Sequence, residues 1–283
     1  MLPLARWVMR GTPHAAGAAA AAALVPWLFW LSAAIASLVT LRRGLAPAMP
    51  VIVAAALPTG WWWTRGDSIP LATLLLVTLM AVVLRARRRW SETLIVGALA
   101  AAVMVQLGVF LPPGGVDPLL ETLRQSSPEF ARMLDELAAQ GVSTERLATL
   151  LIGGITGLIV MLASVACLAL ARSWQAGLYN PGGFRSEFHG LRLTRRELLG
   201  LFAMAIVGGL VTWPALVFMS WVPLLIGGVA LIHGLIGLKG MNGLWLVAFY
   251  ALLLTTWPMI LIVLLLGLVD TFADFRGRLA RSQ

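Results

Sequence analysis

Ionisable side chains inside long apolar runs are the first candidates for chemistry in this sequence, because a charged group in hydrocarbon is strongly disfavoured. His233 lies near the middle of such a run and is flanked by Gly227, Gly228, Gly234 and Gly237. Glycines let a second helix or a ligand approach the backbone closely. Two interpretations remain open: His233 faces a cavity and binds a ligand or a proton, or it is neutral and hydrogen-bonded to a neighbouring helix.

A Thr-Trp-Pro triplet occurs twice, at residues 212–214 and 256–258, each time within an apolar run. Proline removes a backbone hydrogen bond and bends a helix, and paired broken helices can mark the binding site of a transporter. The triplets therefore predict two kinks, which are either ordinary bends or the two sides of a site. The candidate cavity residues are His233, Gly227, Gly228, Gly234, Thr212, Pro214, Thr256 and Pro258.

An arginine-rich loop at residues 172–197 is the second candidate. Its Asn-Pro-Gly-Gly sequence predicts a tight turn, and the residues after the turn form an aromatic stripe and a cationic stripe at helical spacing. Such an element lies against anionic headgroups, docks a protein partner or caps a ligand site. The candidate docking or lipid-contacting residues are Tyr179, Asn180, Pro181, Gly182, Gly183, Phe184, Arg185, Phe188, His189 and Arg192.

Two carboxylates, Asp270 and Asp274, lie one helical turn apart at the end of the last apolar run. We expect them to form ion pairs with Arg278 or with the arginines of the loop. The sequence contains no P-loop, nucleophile-elbow, metalloprotease or dinucleotide motif. Its single cysteine, Cys167, lies in an apolar run and cannot by itself build a metal site. We therefore expect no enzymatic activity, no metal and no cofactor.

The composition indicates an integral membrane protein. Of the 283 residues, 60% are hydrophobic and 12% are charged, about half the charged fraction of a soluble domain. The net charge of +9 would suggest nucleic acid in a soluble protein, but most of the basic residues flank apolar runs. We therefore expect membrane lipids, especially anionic headgroups, as partners, with a further protein partner possible at the loop and nucleic acid disfavoured.

Long apolar runs predict an all-α, multi-pass transmembrane helix bundle in a single domain, 1–283, because backbone groups in lipid must be paired within their own segment. About eight runs approach the roughly 20 residues that a membrane-spanning helix needs. They are 15–40, 46–63, 69–84, 92–111, 148–171, 198–219, 222–238 and 243–269.

A polar insertion at residues 112–147 interrupts these runs. Prolines at 118 and 128 predict the starts of two short amphipathic helices. Six acids and three arginines give the insertion a net charge of −3, so we expect it outside the membrane and the loop 172–197 on the cytoplasmic side. Eight crossings would put the basic termini outside as well. This conflicts with the positive-inside rule, by which Lys and Arg are concentrated on the cytoplasmic side. Runs 15–40 and 222–238 are therefore the ones that we expect to depart from simple crossing.

The loop sequence YNPGGFRSEFHGLRL, with the later sequence GLVDTFADFR, resembles the YybS-like family of bacterial multi-pass membrane proteins of unknown function. The chain is more distantly similar to the substrate-binding components of energy-coupling-factor transporters and to the MreD cell-shape protein. The resemblance implies a bacterial inner-membrane location and brings no catalytic residue. We expect a small-molecule binding or transport-type membrane component, or alternatively a scaffold that docks cytoplasmic or envelope proteins through the loop.

Overall fold

The chain folds entirely into helices over the residues that the computed structural model describes, 2–111 and 115–281. A short 3-10 turn, Pro26–Leu28, links the second helix to the third. The α-helices are α1 (Leu2–Val8), α2 (Thr12–Leu24), α3 (Phe29–Arg43), α4 (Leu45–Thr64), α5 (Ile69–Arg87), α6 (Trp90–Gln106), α7 (Asp117–Ser126), α8 (Pro128–Ala139), α9 (Thr144–Tyr179), α10 (Gly183–His189), α11 (Arg195–Leu210), α12 (Pro214–Leu238), α13 (Leu244–Thr255), α14 (Trp257–Ala273) and α15 (Phe275–Arg281).

Four of these helices, α4, α5, α9 and α12, are long and apolar enough to cross a membrane, and α13 with α14 makes a fifth if the bent pair counts as one span. This agrees with a multi-pass membrane protein, although fewer described helices qualify than the eight predicted runs. The main core lies between α3, α5, α6, α9 and α12. There Leu38, Leu74, Leu94, Met161 and Met219 are each at most 1% exposed.

The predicted run 15–40 is a helical hairpin and not a single span. Pro26 starts the 3-10 turn that separates α2 from α3. At one end of the hairpin, Arg43 donates a hydrogen bond to the Met9 carbonyl at 3.0 Å. At the other end, the Trp62 indole donates to the Ala23 carbonyl at 3.1 Å. The hairpin therefore begins and ends at the same end of the bundle, next to Arg43.

The predicted boundary between runs 198–219 and 222–238 lies inside a helix. The chain breaks earlier, at Thr212, whose φ of 52° cannot continue a helix. Pro214 then starts α12, because a proline in the first turn has no N–H that the helix would need. α12 continues through Pro223 to Leu238. The first Thr-Trp-Pro triplet is thus a helix start and not the predicted kink.

The last predicted run, 243–269, is also broken. Thr256 is extended, with φ −125° and ψ 99°, and the axes of α13 and α14 bend by 117° there. Pro258 lies in the first turn of α14, as Pro214 does in α12. Residues before α13 and after α14, Met241 and Phe275, line one cavity. The bent pair therefore starts and finishes at the same end of the bundle.

The arginine-rich segments gather at one end of the bundle, which we call the basic end. Arg85 donates to the carbonyls of Leu41 and Arg42 at 2.6 and 2.9 Å. Arg42 also lies 4.1 Å from the centre of the Tyr179 ring, at the end of α9. Since the hairpin and the bent pair both return to this end, both termini lie there too. The arrangement removes the conflict between the basic termini and the positive-inside rule.

The polar insertion packs at the opposite end of the bundle. Its two amphipathic helices, α7 and α8, form as expected, and Leu134 of α8 is 4% exposed. Leu134 packs with Val116 and Leu120 against Ile152 of α9. Residues 112–114 of the insertion lie outside the described part of the chain. The insertion therefore caps the bundle through apolar contacts of α7 and α8.

Candidate functional site

The turn that begins the candidate loop has the predicted form. The Gly183 N–H donates to the Asn180 carbonyl at 2.9 Å, and Gly182 has a φ of 84°, which favours glycine. Pro181 lies exposed within the turn. α9 continues to Tyr179, so the first residues of the predicted loop 172–197 are helical. The turn reverses the chain and directs α10 back across the ends of the other helices.

The aromatic stripe of α10 faces the bundle. The Phe184 ring lies 6.1 Å from the Trp90 ring and 5.8 Å from Phe188, whose ring lies 5.4 Å from His233. Leu191, just after α10, is 4% exposed. Phe184 and Phe188, two of the candidate docking or lipid-contacting residues, therefore contact this chain's own helices.

A buried ion pair fastens the loop to the C-terminal helices. Arg276 pairs with Asp270 at 2.7 Å, and their side chains are 11% and 3% exposed. The same guanidinium donates to the carbonyls of His189 and Leu191, the latter at 2.9 Å. Asp270 also accepts the Phe275 N–H at 3.0 Å. We call Asp270 and Arg276 the loop clamp, and Arg276 takes the place that the sequence analysis gave to Arg278.

A second ion pair lies at the surface beside the clamp. Asp274 pairs with Arg192 of the loop at 2.7 Å, with side chains 40% and 34% exposed. Arg192 also donates to the Thr271 carbonyl at 3.2 Å. The pKa of Asp274 lies below its usual value, because the carboxylate accepts the Gly277 N–H and faces Arg192. A pairing between a C-terminal carboxylate and a loop arginine was one of the two expected arrangements.

The glycines around His233 make room for neighbouring backbone. A methyl group on Gly234 would lie 2.9 Å from Arg276 and 3.0 Å from the His189 carbonyl, and one on Gly237 would meet the His189 ring. A methyl group on Gly228 would clash with the Val263 carbonyl of α14. A methyl group on Gly227 would lie 3.9 Å from the Leu191 side chain, an ordinary contact distance. The glycines therefore serve loop docking and the crossing of α12 with α14.

A cavity of about 650 Å³ separates the loop from α12 and α15, and we call it the glycine-lined cavity. Its lining residues are Gly182, Arg185, Ser186, His189, Gly190, Arg192, Gly234, Gly237, Leu238, Asp274, Arg276 and Gly277. The pKa of His189 is lowered by burial and by the charges of Arg185 and Arg276, which favours the neutral imidazole. Residues from all three predicted sets, the loop, the glycines and the carboxylates, thus meet here.

His233 forms a hydrogen bond with a neighbouring helix. Its Nε2 lies 2.8 Å from the Tyr250 hydroxyl of α13, so one of the two accepts a hydrogen bond from the other. His233 does not line the glycine-lined cavity. Thr212, Pro214, Thr256 and Pro258 also lie outside it, at the two helix breaks. The candidate cavity residues are therefore divided: Gly234 lines the glycine-lined cavity, whereas His233 and the two Thr-Trp-Pro triplets do not.

A second, larger cavity of about 800 Å³ lies between α12, α13 and α15, and we call it the apolar cavity. Its lining residues are Ile232, Leu235, Ile236, Lys239, Met241, Trp245, Ala248, Phe249, Leu252, Met259, Phe275, Arg278 and Leu279. Lys239 and Arg278 are the charged members of this lining, which contains no acid. None of the candidate residues predicted from the sequence lines this cavity except Arg278, although Lys239 and Arg278 at the edges of apolar helices were a usable signal.

The two cavities at the basic end present different kinds of side chain. Among the described residues, no group of three or more His, Cys, Asp or Glu side chains is placed to hold a metal ion. The apolar cavity offers apolar walls with one ammonium and one guanidinium group, and the glycine-lined cavity offers guanidinium groups, the His189 imidazole and the Asp274 carboxylate. No family model, no curated protein and no solved structure matches this chain.

Proposed function

We propose that this protein is a membrane component that binds an anionic amphiphile at its basic end. The apolar cavity carries the proposal, because its volume is in the range of small-molecule sites and its walls are almost entirely apolar. Lys239 and Arg278 provide positive charge at an otherwise uncharged lining. In this arrangement the tail of the ligand lies among Leu235, Phe249 and Leu252, and its anionic group lies beside the two cations.

The two cations determine the selectivity of such a site. A ligand that enters from the bilayer exchanges one apolar environment for another, so burial of its tail contributes little. A basic residue near an anionic headgroup contributes about 1 kcal/mol. Lys239 and Arg278 together then favour an anionic over a zwitterionic amphiphile by about 2 kcal/mol, which is roughly thirtyfold in affinity.

The proposed location is a bacterial inner membrane with the basic end on the cytoplasmic side. The support is that the arginine-rich segments and both termini share one end of the bundle, as the positive-inside rule requires. The resemblance of the loop to the YybS-like family points to the same membrane. The anionic leaflet at that face would supply ligands of the proposed charge.

Native mass spectrometry of the protein, extracted into particles of its own lipids, tests the proposal. We expect retained anionic amphiphile, and we expect the double variant Lys239→Gln with Arg278→Gln to lose it. The matched control is Arg281→Gln, which removes a charge from the same helix without touching the cavity lining. Ala248→Phe places a larger side chain in the lining and should also displace the ligand. Equal retention by all four proteins would refute the proposal.

A further inference from the structure

A third cavity, of about 540 Å³, lies at the basic end between the C-terminal ends of α3 and α5, helix α9 and helix α10. We call it the arginine cavity. Its lining residues are Leu41, Leu84, Arg85, Arg88, Arg172, Gln175 and Glu187. Three guanidinium groups and one carboxylate give the lining a net charge of +2. Its lining lacks the apolar walls of the apolar cavity, so a hydrocarbon tail does not fit it.

The single carboxylate of the arginine cavity is already engaged. Arg172 donates to both oxygens of Glu187, from Nε at 2.9 Å and from Nη2, and its Nη1 donates to Gln175. Arg85 directs Nη1 to the carbonyls of Leu41 and Arg42 and keeps its other donors free of any described partner. The negative charge of Glu187 is therefore matched within the chain, whereas the charges of the remaining arginines are not.

Arg88 is the residue that this cavity leaves without a partner. It ends α5 in the left-handed conformation, with a φ of 57°, at a position where helices usually have glycine. Its neighbours Arg87 and Arg89 pair with Glu92, and Arg89 also pairs with Glu197. No carboxylate of the described chain pairs with Arg88. A residue other than glycine in the left-handed region carries backbone strain, and such residues cluster at ligand-binding sites.

We infer that the arginine cavity binds a phosphate group through Arg88 and Arg85. The planar guanidinium matches phosphate oxygens in pairs, which makes arginine the preferred residue for this recognition. The phosphate belongs either to a soluble phosphorylated molecule from the aqueous phase or to a lipid headgroup at the membrane surface. This site is separate from the apolar cavity and does not rest on the proposed function.

Titration of the protein with two probes, both at the same constant ionic strength, tests the inference. The first probe is inorganic pyrophosphate, added to protein in phosphatidylcholine nanodiscs and followed by calorimetry. The second is phosphatidylglycerol, exchanged into the same nanodiscs in place of phosphatidylcholine. Saturable binding of pyrophosphate assigns the site to a soluble phosphate, and binding of phosphatidylglycerol alone assigns it to a headgroup. If neither probe binds, the inference is overturned.

Three variants show whether binding occurs in this cavity. Arg88→Gln should weaken binding about tenfold for whichever probe binds the wild-type protein, because it removes charge-assisted hydrogen bonds. Arg87→Gln is the matched control, since Arg87 is adjacent, 71% exposed and outside the lining, and it should leave affinity unchanged. Glu187→Gln should strengthen binding, because it frees Arg172. Equal weakening by the Arg87 and Arg88 variants would instead show diffuse charge attraction and overturn the inference.

Discussion

The loop clamp offers the sharpest test of how the basic end is held together. We consider the change Asp270→Asn, which keeps the shape of the side chain and an oxygen that can accept the Phe275 N–H. The change removes the negative charge that Arg276 pairs with at 2.7 Å. It leaves the guanidinium buried, with the carbonyls of His189 and Leu191 as its acceptors. Asp274→Asn is the matched control, one helical turn away.

The two substitutions should lower the free energy of unfolding by different amounts, because the two ion pairs differ in burial. Removing one partner of a buried ion pair destabilises a protein by about 3–5 kcal/mol, since the other charge stays buried and unpaired. The Asp270 side chain is 3% exposed, so this range applies to it. An exposed pair contributes at most about 1 kcal/mol, and Asp274 is 40% exposed. We therefore expect at least a threefold difference in the loss of stability.

Unfolding by sodium dodecyl sulfate in mixed micelles, followed by tryptophan fluorescence, measures the free energy of unfolding of each variant. Hydrogen exchange at residues 183–193 reports separately on loop undocking, which should accelerate strongly in Asp270→Asn and little in Asp274→Asn. Equal losses of stability for both variants, or unchanged exchange in the loop of Asp270→Asn, would refute the assignment of Asp270 and Arg276 as the clamp.

Three further predictions follow from close packing and from two shifted pKa values. Gly228→Ala should destabilise the protein by about 1–3 kcal/mol, because the added methyl meets the Val263 carbonyl. Gly200→Ala in α11 meets nothing and should leave the free energy of unfolding unchanged or raise it by up to about 1 kcal/mol in the same assay. Because the folded state lowers the pKa of His189 below 6.5, the free energy of unfolding should fall as pH drops through 6.5. His189→Gln should reduce that slope in a pH series of unfolding curves. The folded state lowers the pKa of Asp274 below 3.8, so the contribution of this carboxylate to stability is present above pH 3.8 and is lost as pH falls through the folded pKa. The wild-type protein should therefore lose its greater stability over Asp274→Asn at that pH.

The helical class and several helix starts were predictable because they depend on local sequence. Ser127 and Ser143 accept the N–H groups of Phe130 and Arg146, and Thr194 forms a capping box with Glu197. A hydroxyl or carboxylate that bonds to backbone three residues away needs no tertiary contact to be recognised. Composition alone also required helices, since lipid leaves few other ways to pair the backbone.

The helix breaks and the geometry of the site were not predictable from local signals. The charges of the termini indicated that run 15–40 departs from simple crossing, but they did not locate the turns at Pro26 and Thr256. The Thr-Trp-Pro triplets signalled an irregularity but not its kind. The clamp joins Arg276 to the carbonyls of His189 and Leu191, and backbone acceptors leave no mark in the sequence. Only the packing of α10 on α12 brings them together.

Photo-crosslinking with an anionic phospholipid that carries a diazirine in its acyl chain tests the proposed ligand site most directly. The lipid is incorporated into nanodiscs with the full-length protein, irradiated, and located by peptide mass spectrometry. We expect crosslinks concentrated in residues 232–252 and 275–279, with a marked decrease for the double variant Lys239→Gln with Arg278→Gln. Crosslinks spread evenly over exposed apolar positions such as Leu57 of α4 and Leu210 of α11, and unaffected by that variant, would contradict the proposal.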